Sequence, residues 1–161
     1  MKTITLEWIT YDLVIQENQL ATNAVSYKRP RANKCEEYFY IDSDIIEDCI
    51  ENSDEEDNWH YNTWNYYLTE QQAQKALDKQ LATVRVNDAI DELNEGWVGD
   101  WSDENDYKYS IIYDRKEHKF LASASYSLEF LWSIKDIKSE KIYQQIIKEH
   151  EEDLKLIFNI V

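Results

Sequence analysis

The sequence predicts an α+β fold: an antiparallel sheet with two principal helices at about 69–94 and 139–158. Three patterns predict it. Apolar residues alternate at period two near the N-terminus and again in the paired stretches 107–113 and 120–126. A Gln/Ala/Leu-rich stretch after Thr69 has helical composition, and Ile142, Tyr143, Ile146, Ile147, His150, Leu154, Ile157 and Phe158 form a stripe at helical spacing. The 161 residues suit one domain, or a domain with a small annex. Two Gly and one Pro, against six Trp, twelve Tyr and four Phe, exclude collagenous and disordered classes.

Each element has its own signal. Ile4, Leu6 and Trp8, then Tyr11, Leu13 and Ile15, alternate with a phase slip at Ile9-Thr10, which predicts two short strands or one bulged strand, the start of a hairpin. Residues 17–37 are polar and contain Lys28-Arg29-Pro30-Arg31-Ala32-Asn33-Lys34, the only basic cluster, so they are expected to be a mobile connection, the cluster either folding back on the acidic face or gripping a second molecule. Tyr38-Phe39-Tyr40-Ile41 favours a strand. Ile45, Ile46, Cys49 and Ile50 suit a short amphipathic helix, broken by Asn52–Asn58, and Trp59 to Leu68 a strand or a packed aromatic loop. The helix from Thr69 carries two apolar faces (Ala73, Ala76, Leu77, Leu81, Val84 and Ala82, Val86, Ala89, Ile90, Leu93), so it packs on both sides or breaks near Arg85; Gly96 suits a left-handed cap. Asp114 to Lys119 connects a hairpin, and Ser139 caps the last helix. The expected organisation is a β segment and basic linker over 1–34 and an acidic α+β domain over 35–161, together one compact unit.

Charge is the most distinctive property. There are 33 acidic and 17 basic residues, a formal net charge of −16. Between Lys34 and Lys75 stand twelve acids and no lysine or arginine; Asp88, Asp91, Glu92, Glu95, Asp100, Asp103, Glu104 and Asp106 form a second run between Arg85 and Lys108. Such a surplus disfavours direct binding of nucleic acid or anionic membranes and points to a basic partner. Crowded acids cost stability through self-repulsion; they serve either solubility or the imitation of phosphates spaced about 1.7 Å apart along DNA. Trp59, Tyr61, Trp64, Tyr66 and Tyr67 beside the first run are core residues or anchors of a protein interface.

The chemistry-bearing patterns are weak by comparison. Counting Asp100 as position 1, an EF-hand would need Gly at Asn105 and Glu at Ile111, so specific calcium binding is not expected. His60, His118 and His150 stand in no HExxH, G-x-S-x-G or P-loop context, and carboxylate pairs are too plentiful to nominate a dyad. No catalysis, metal or cofactor is expected. Cys35 and Cys49, with no metal or redox spacing and no signal or membrane segment in the sequence, are expected to be reduced thiols in a cytoplasmic setting.

The motif Asn94-Glu95-Gly96-Trp97-Val98-Gly99-Asp100-Trp101-Ser102-Asp103, followed by Tyr107-Lys108-Tyr109-Ser110-Ile111-Ile112-Tyr113-Asp114, resembles a group of small uncharacterised proteins carried by phages and mobile elements of Gram-positive bacteria. The resemblance runs over residues 36–158 and includes a Ser/Tyr-rich strand like Ser123-Ala124-Ser125-Tyr126; it departs at Gly99, where the group has proline. It implies a phage or prophage origin and an anti-defence role, anti-CRISPR activity being the best-known version, and brings no catalytic residues. The expected function is therefore inhibition of a host nucleic-acid enzyme, a Cas9-type nuclease foremost, by an acidic DNA-mimicking surface. Asp54, Glu55, Glu56, Asp57, Trp59, Asp100, Trp101, Asp103, Glu104 and Asp106 are the expected partner-binding residues. The alternative is an adaptor of a mobile element that binds a protein through its Trp/Tyr surface.

Overall fold

Seven strands and four helices make up a computed structural model that describes residues 2–6, 9–16 and 19–25 as backbone, and 29–125 and 134–160 with side chains. Trp8, Lys28 and Tyr126 lie outside the described residues. The architecture is α+β, with the strands divided among three antiparallel sheets instead of one. β1 (Lys2–Leu6), β2 (Ile9–Gln16) and β3 (Gln19–Val25) form a meander, with Ile4 opposite Tyr11 and Leu13 opposite Thr22. The expected hairpin start is thus present, and β3 occupies part of the stretch expected to be a connection.

β4 (Glu37–Asp42) pairs with β5 (Ile45–Ile50), which corrects the expected helix over 45–50. Local turn chemistry overrides the helical spacing. Ser43 takes a left-handed conformation (φ 60°), the chain reverses, and Ile45 and Ile50 remain exposed, so their spacing never marked a buried helix face. The acidic run read as a breaker instead starts α1 (Glu55–Asn62), which corrects the strand or packed loop expected over 59–62, while 63–68 is a loop, as expected, with Tyr67 bridged to Phe39. The Asp54 carboxylate accepts from the Glu56 and Asp57 amides and Asp57 returns the bond to the cap backbone, while Glu55, Glu56 and Asp57 complement the helix dipole.

α2 (Glu70–Asn94) is capped by Thr69, as expected, and does not break near Arg85. The first expected face is only partly buried, since Leu81 and Val84 are exposed, and the buried residues of the two faces meet different neighbours. Ala82, Val86 and Ile90 enter a cluster with Ile111, Ile137, Tyr143, Ile146, Leu154 and Ile157, whereas Ala73 and Leu77 are buried outside it and β4 and β5 pack on the helix. Thr69→Ala should cost about 1 kcal/mol, read as a lower urea midpoint, because the Gln72 amide loses its acceptor. At the other end Glu95 (φ 53°) is the left-handed cap, one residue before the expected Gly96, which follows in the same region (φ 77°).

β6 (Lys108–Asp114) and β7 (Lys119–Ser125) form the expected hairpin; Asp114 accepts from the Lys116 and Glu117 amides in the turn. The Asn94 side chain bonds Asp136 O and Lys138 N, pinning the end of α2 to the segment where Ile137 bridges Tyr109. Ser139 caps α3 (Glu140–Glu149), as expected, but the final helix is interrupted at His150 (φ −123°) and resumes as α4 (Glu151–Ile157). Asp153, in the first turn of α4, faces His150 Nδ1 at 3.3 Å and also pairs with Arg85 of α2. Cys35 and Cys49 are free thiols, and among the described residues no helix is long and apolar enough to cross a membrane.

Candidate functional site

The acidic runs meet aromatic rings and inward-turned cations in two places. The first is built on β4, β5 and α1. Tyr38, wholly buried, stacks on Tyr66 with ring centroids 4.1 Å apart, and its hydroxyl lies 2.9 Å from both Asp57 Oδ1 and His60 Nδ1. Tyr40 stacks on His60 at 4.1 Å. Trp59 meets His60 edge-on, and Tyr66 meets Tyr61 edge-on, so rings run continuously from Trp59 through His60, Tyr38 and Tyr66 to Tyr61. Trp59, at one end of this column, is 59% exposed, and Trp64, near the half-buried Tyr61 at the other end, is 71% exposed.

The basic segment folds back onto this column. Arg29 lies 4.2 Å from the Tyr61 centroid and 4.4 Å from that of Trp64, and donates to Tyr61 O. Arg31 forks onto buried Glu51 at 2.7 and 2.8 Å and reaches Asn58 at 2.8 Å. Glu51 also accepts from the Tyr66 hydroxyl at 2.8 Å and the Ser53 amide at 2.7 Å, and Ala32 N donates to Tyr66 Oη. The Arg31 hydrogen bonds hold the Glu51 carboxyl below its usual range, while burial pushes the Tyr66 hydroxyl up to about 12. Burial also raises the Asp57 carboxyl, but bonds from the Asn52 amide, Tyr38 and the Asp54 amide outweigh it and the net shift is downward. Trp64 itself adopts a left-handed conformation (φ 64°), which an indole takes only under local constraint; Asn65 N→His60 O at 3.0 Å and the Arg29 stack supply that constraint.

The second place is the loop from Glu95 to Tyr107, wrapped around Lys108. This lysine is 1% exposed; its ammonium donates to Asp100 O and to Asp106 O, lies 3.3 Å from the Asp106 carboxylate and 4.9 Å from the Trp101 centroid. The loop's oxygens thus converge on a side-chain cation. Gly99 is required by that packing, since a Cβ there would come within 2.8 Å of Lys108 Cγ and Cε. Asp100 accepts from Ser102 N and Oγ, Asp103 from Asn105, and Asp106 from the Asp100 amide.

No family model, curated protein or solved structure matches the chain. Of the expected partner-binding residues, Asp57 is interior and Asp54 is its helix cap, so both hold structure. Asp100 and Asp106 shape the Lys108 loop, with Trp101 half-buried beside them. Glu55, Glu56, Trp59, Asp103 and Glu104 are exposed. Tyr40, Glu47, Glu51 and Lys108 are not candidate site residues in the sequence, whereas Trp64 is named there as a core or interface aromatic and Arg29 and Arg31 belong to the basic cluster. The basic cluster was visible there, but which rings and carboxylate it would meet depends on a reversal of the chain that spacing does not encode.

The same geometry bears on chemistry. Tyr38, Asp57 and His60 satisfy one another in the interior, each at most 3% exposed. Among the described residues no three His, Cys, Asp or Glu side chains converge as a metal site. A recess of about 460 Å³ beside α3, lined by Leu93, Glu95, Lys138, Ser139, Lys141, Ile142 and Gln145, contains none of the histidines.

Proposed function

We propose that the protein is a non-enzymatic, phage-type inhibitor that acts in the bacterial cytoplasm. It presents an acidic surface to the nucleic-acid channel of a basic enzyme, a Cas9-type nuclease foremost. One observation supports this above the others: in the acidic regions Arg29, Arg31 and Lys108 are turned inward, while Lys135 pairs with Asp91 of the second run at the surface. Arg29 and Arg31 are spent on rings and Glu51, and Lys108 on the loop, whereas among the described residues Glu47, Asp48, Glu55, Glu56, Asp103 and Glu104 are exposed and carry no ion pair. Solubility needs no such segregation, and competition for a Lys/Arg channel does. The resemblance of the Asn94–Asp114 motif to small phage proteins points the same way.

The test is inhibition of DNA cleavage by a panel of Cas9-type nucleases, with binding measured against salt. Affinity should fall about tenfold or more between roughly 50 and 200 mM salt. Glu55→Gln/Glu56→Gln/Asp103→Asn/Glu104→Gln, which alters only exposed groups, should weaken inhibition by a similar factor. A Kd unchanged by salt and by this variant rejects the acidic mechanism. The exposure of Trp59 and Trp64 favours the second reading, an adaptor that binds a protein through its aromatic surface. Under that reading Trp64→Ala abolishes binding and the charge variant leaves it intact.

A further inference from the structure

Arginine is already read twice inside the aromatic column. Arg29 uses the faces of Tyr61 and Trp64, and Arg31 uses the Glu51 carboxylate together with the Tyr61 ring, 5.1 Å away. A π face and a carboxylate are the two components of guanidinium recognition, and a planar fork can meet both at once. The outward side of α1 presents the same two components to solvent. Trp59 is 59% exposed, and Glu55 and Glu56, four and three residues earlier, lie on its side of the helix. Glu47 stands directly opposite Tyr40 across the β4–β5 hairpin, and Tyr40 in turn stacks on His60 next to Trp59.

We propose that this face, Trp59 with Glu55, Glu56 and Glu47, receives an arginine side chain of a basic partner protein, its guanidinium stacked on the indole and forked onto a carboxylate. The inference rests on the inhibitor reading and deepens it by naming arginine, not lysine, as the group recognised. The charge of the region selects for a cation, and the exposed indole selects for one that is flat and weakly hydrated. A lysine ammonium gains the attraction of the carboxylates but cannot both stack and fork.

The experiment titrates the whole protein into fluorescein-labelled nona-arginine and nona-lysine peptides at about 0.15 M salt, followed by anisotropy. Wild type should bind the arginine peptide about three- to tenfold more tightly than the lysine peptide. Trp59→Ala should bring the two within about twofold, and Trp59→Phe should retain part of the preference. Circular dichroism checks that each variant is folded; Trp59 is exposed, so both should be. Equal affinities of wild type for the two peptides, or a preference that survives Trp59→Ala, overturn the inference. Its fate is separable from that of the inhibitor reading: a nuclease inhibited equally by wild type and Trp59→Ala overturns the arginine receptor alone. A Trp59-dependent arginine preference in a protein that inhibits no nuclease supports the receptor and overturns the inhibitor.

Discussion

Replacing Lys108 with methionine should lower stability by about 3 kcal/mol and loosen the whole Glu95–Tyr107 loop. The side chain volume is nearly kept, so the loss measures the ammonium and not a cavity. Without it, the carbonyls of Asp100 and Asp106 lose their donor, the Asp106 carboxylate loses its counter-charge and Trp101 loses its cation. Urea denaturation followed by Trp fluorescence gives the stability change, and amide exchange over 95–107 should rise in the variant while exchange in β4–β5 is unaltered. A change below about 1 kcal/mol would mean that water replaces the ammonium at no cost.

A loss of about 3 kcal/mol or more is expected for Glu51→Ala, because one buried carboxylate serves Arg31, Tyr66 and Ser53 together. Removing it leaves a half-buried guanidinium and an inward-facing hydroxyl without their acceptor. This variant also has a pH signature. Arg31 holds the Glu51 carboxyl below its ordinary value in the folded protein, so the unfolded chain binds the proton first as pH falls. The contribution is complete above the ordinary carboxylate range near about 4 and is lost as pH falls through the depressed folded value. The gap between wild type and Glu51→Ala should therefore be widest at neutral pH and narrow toward pH ~3. Relief of self-repulsion on acidification acts on both proteins and cancels in the comparison, apart from the one deleted charge. A gap independent of pH would assign the effect to packing and not to the ion pair.

Elements with strong local signals were legible in the sequence. Thr69 and Ser139 are hydroxyl caps ahead of long periodic runs, and the 108–125 hairpin alternates cleanly around a turn. Two readings failed because a short apolar run and a short acidic run each suit more than one local structure. Ile45 to Ile50 fits a helix wheel, yet a left-handed Ser43 turns it back as a strand; Asp54 to Asp57 looks like a breaker, yet its carboxylates form a capping box. Which acids would be surface and which structural was not legible at all. Asp57 and Glu55 are indistinguishable by composition, and what separates them is that Asp57 turns inward to the Tyr38 hydroxyl of β4 and to the Asn52 amide. The buried Lys108 escaped notice for a similar reason: a lysine at the start of a strand is ordinarily at the surface, and its burial depends on the loop that Gly99 lets close over it.

The unbroken course of α2 sets a length. Its 25 residues span about 37 Å, with the β4–β5 hairpin packed on it and the Lys108 loop following its far end. That is close to one helical pitch of duplex DNA, roughly 34–36 Å, the interval after which a phosphate track returns to the same side of its axis. A partner channel that follows a duplex would meet the two ends of this rod at the same phase of its groove. Lengthening or shortening α2 by whole turns would then alter the match in steps of about 5.4 Å without touching a single carboxylate.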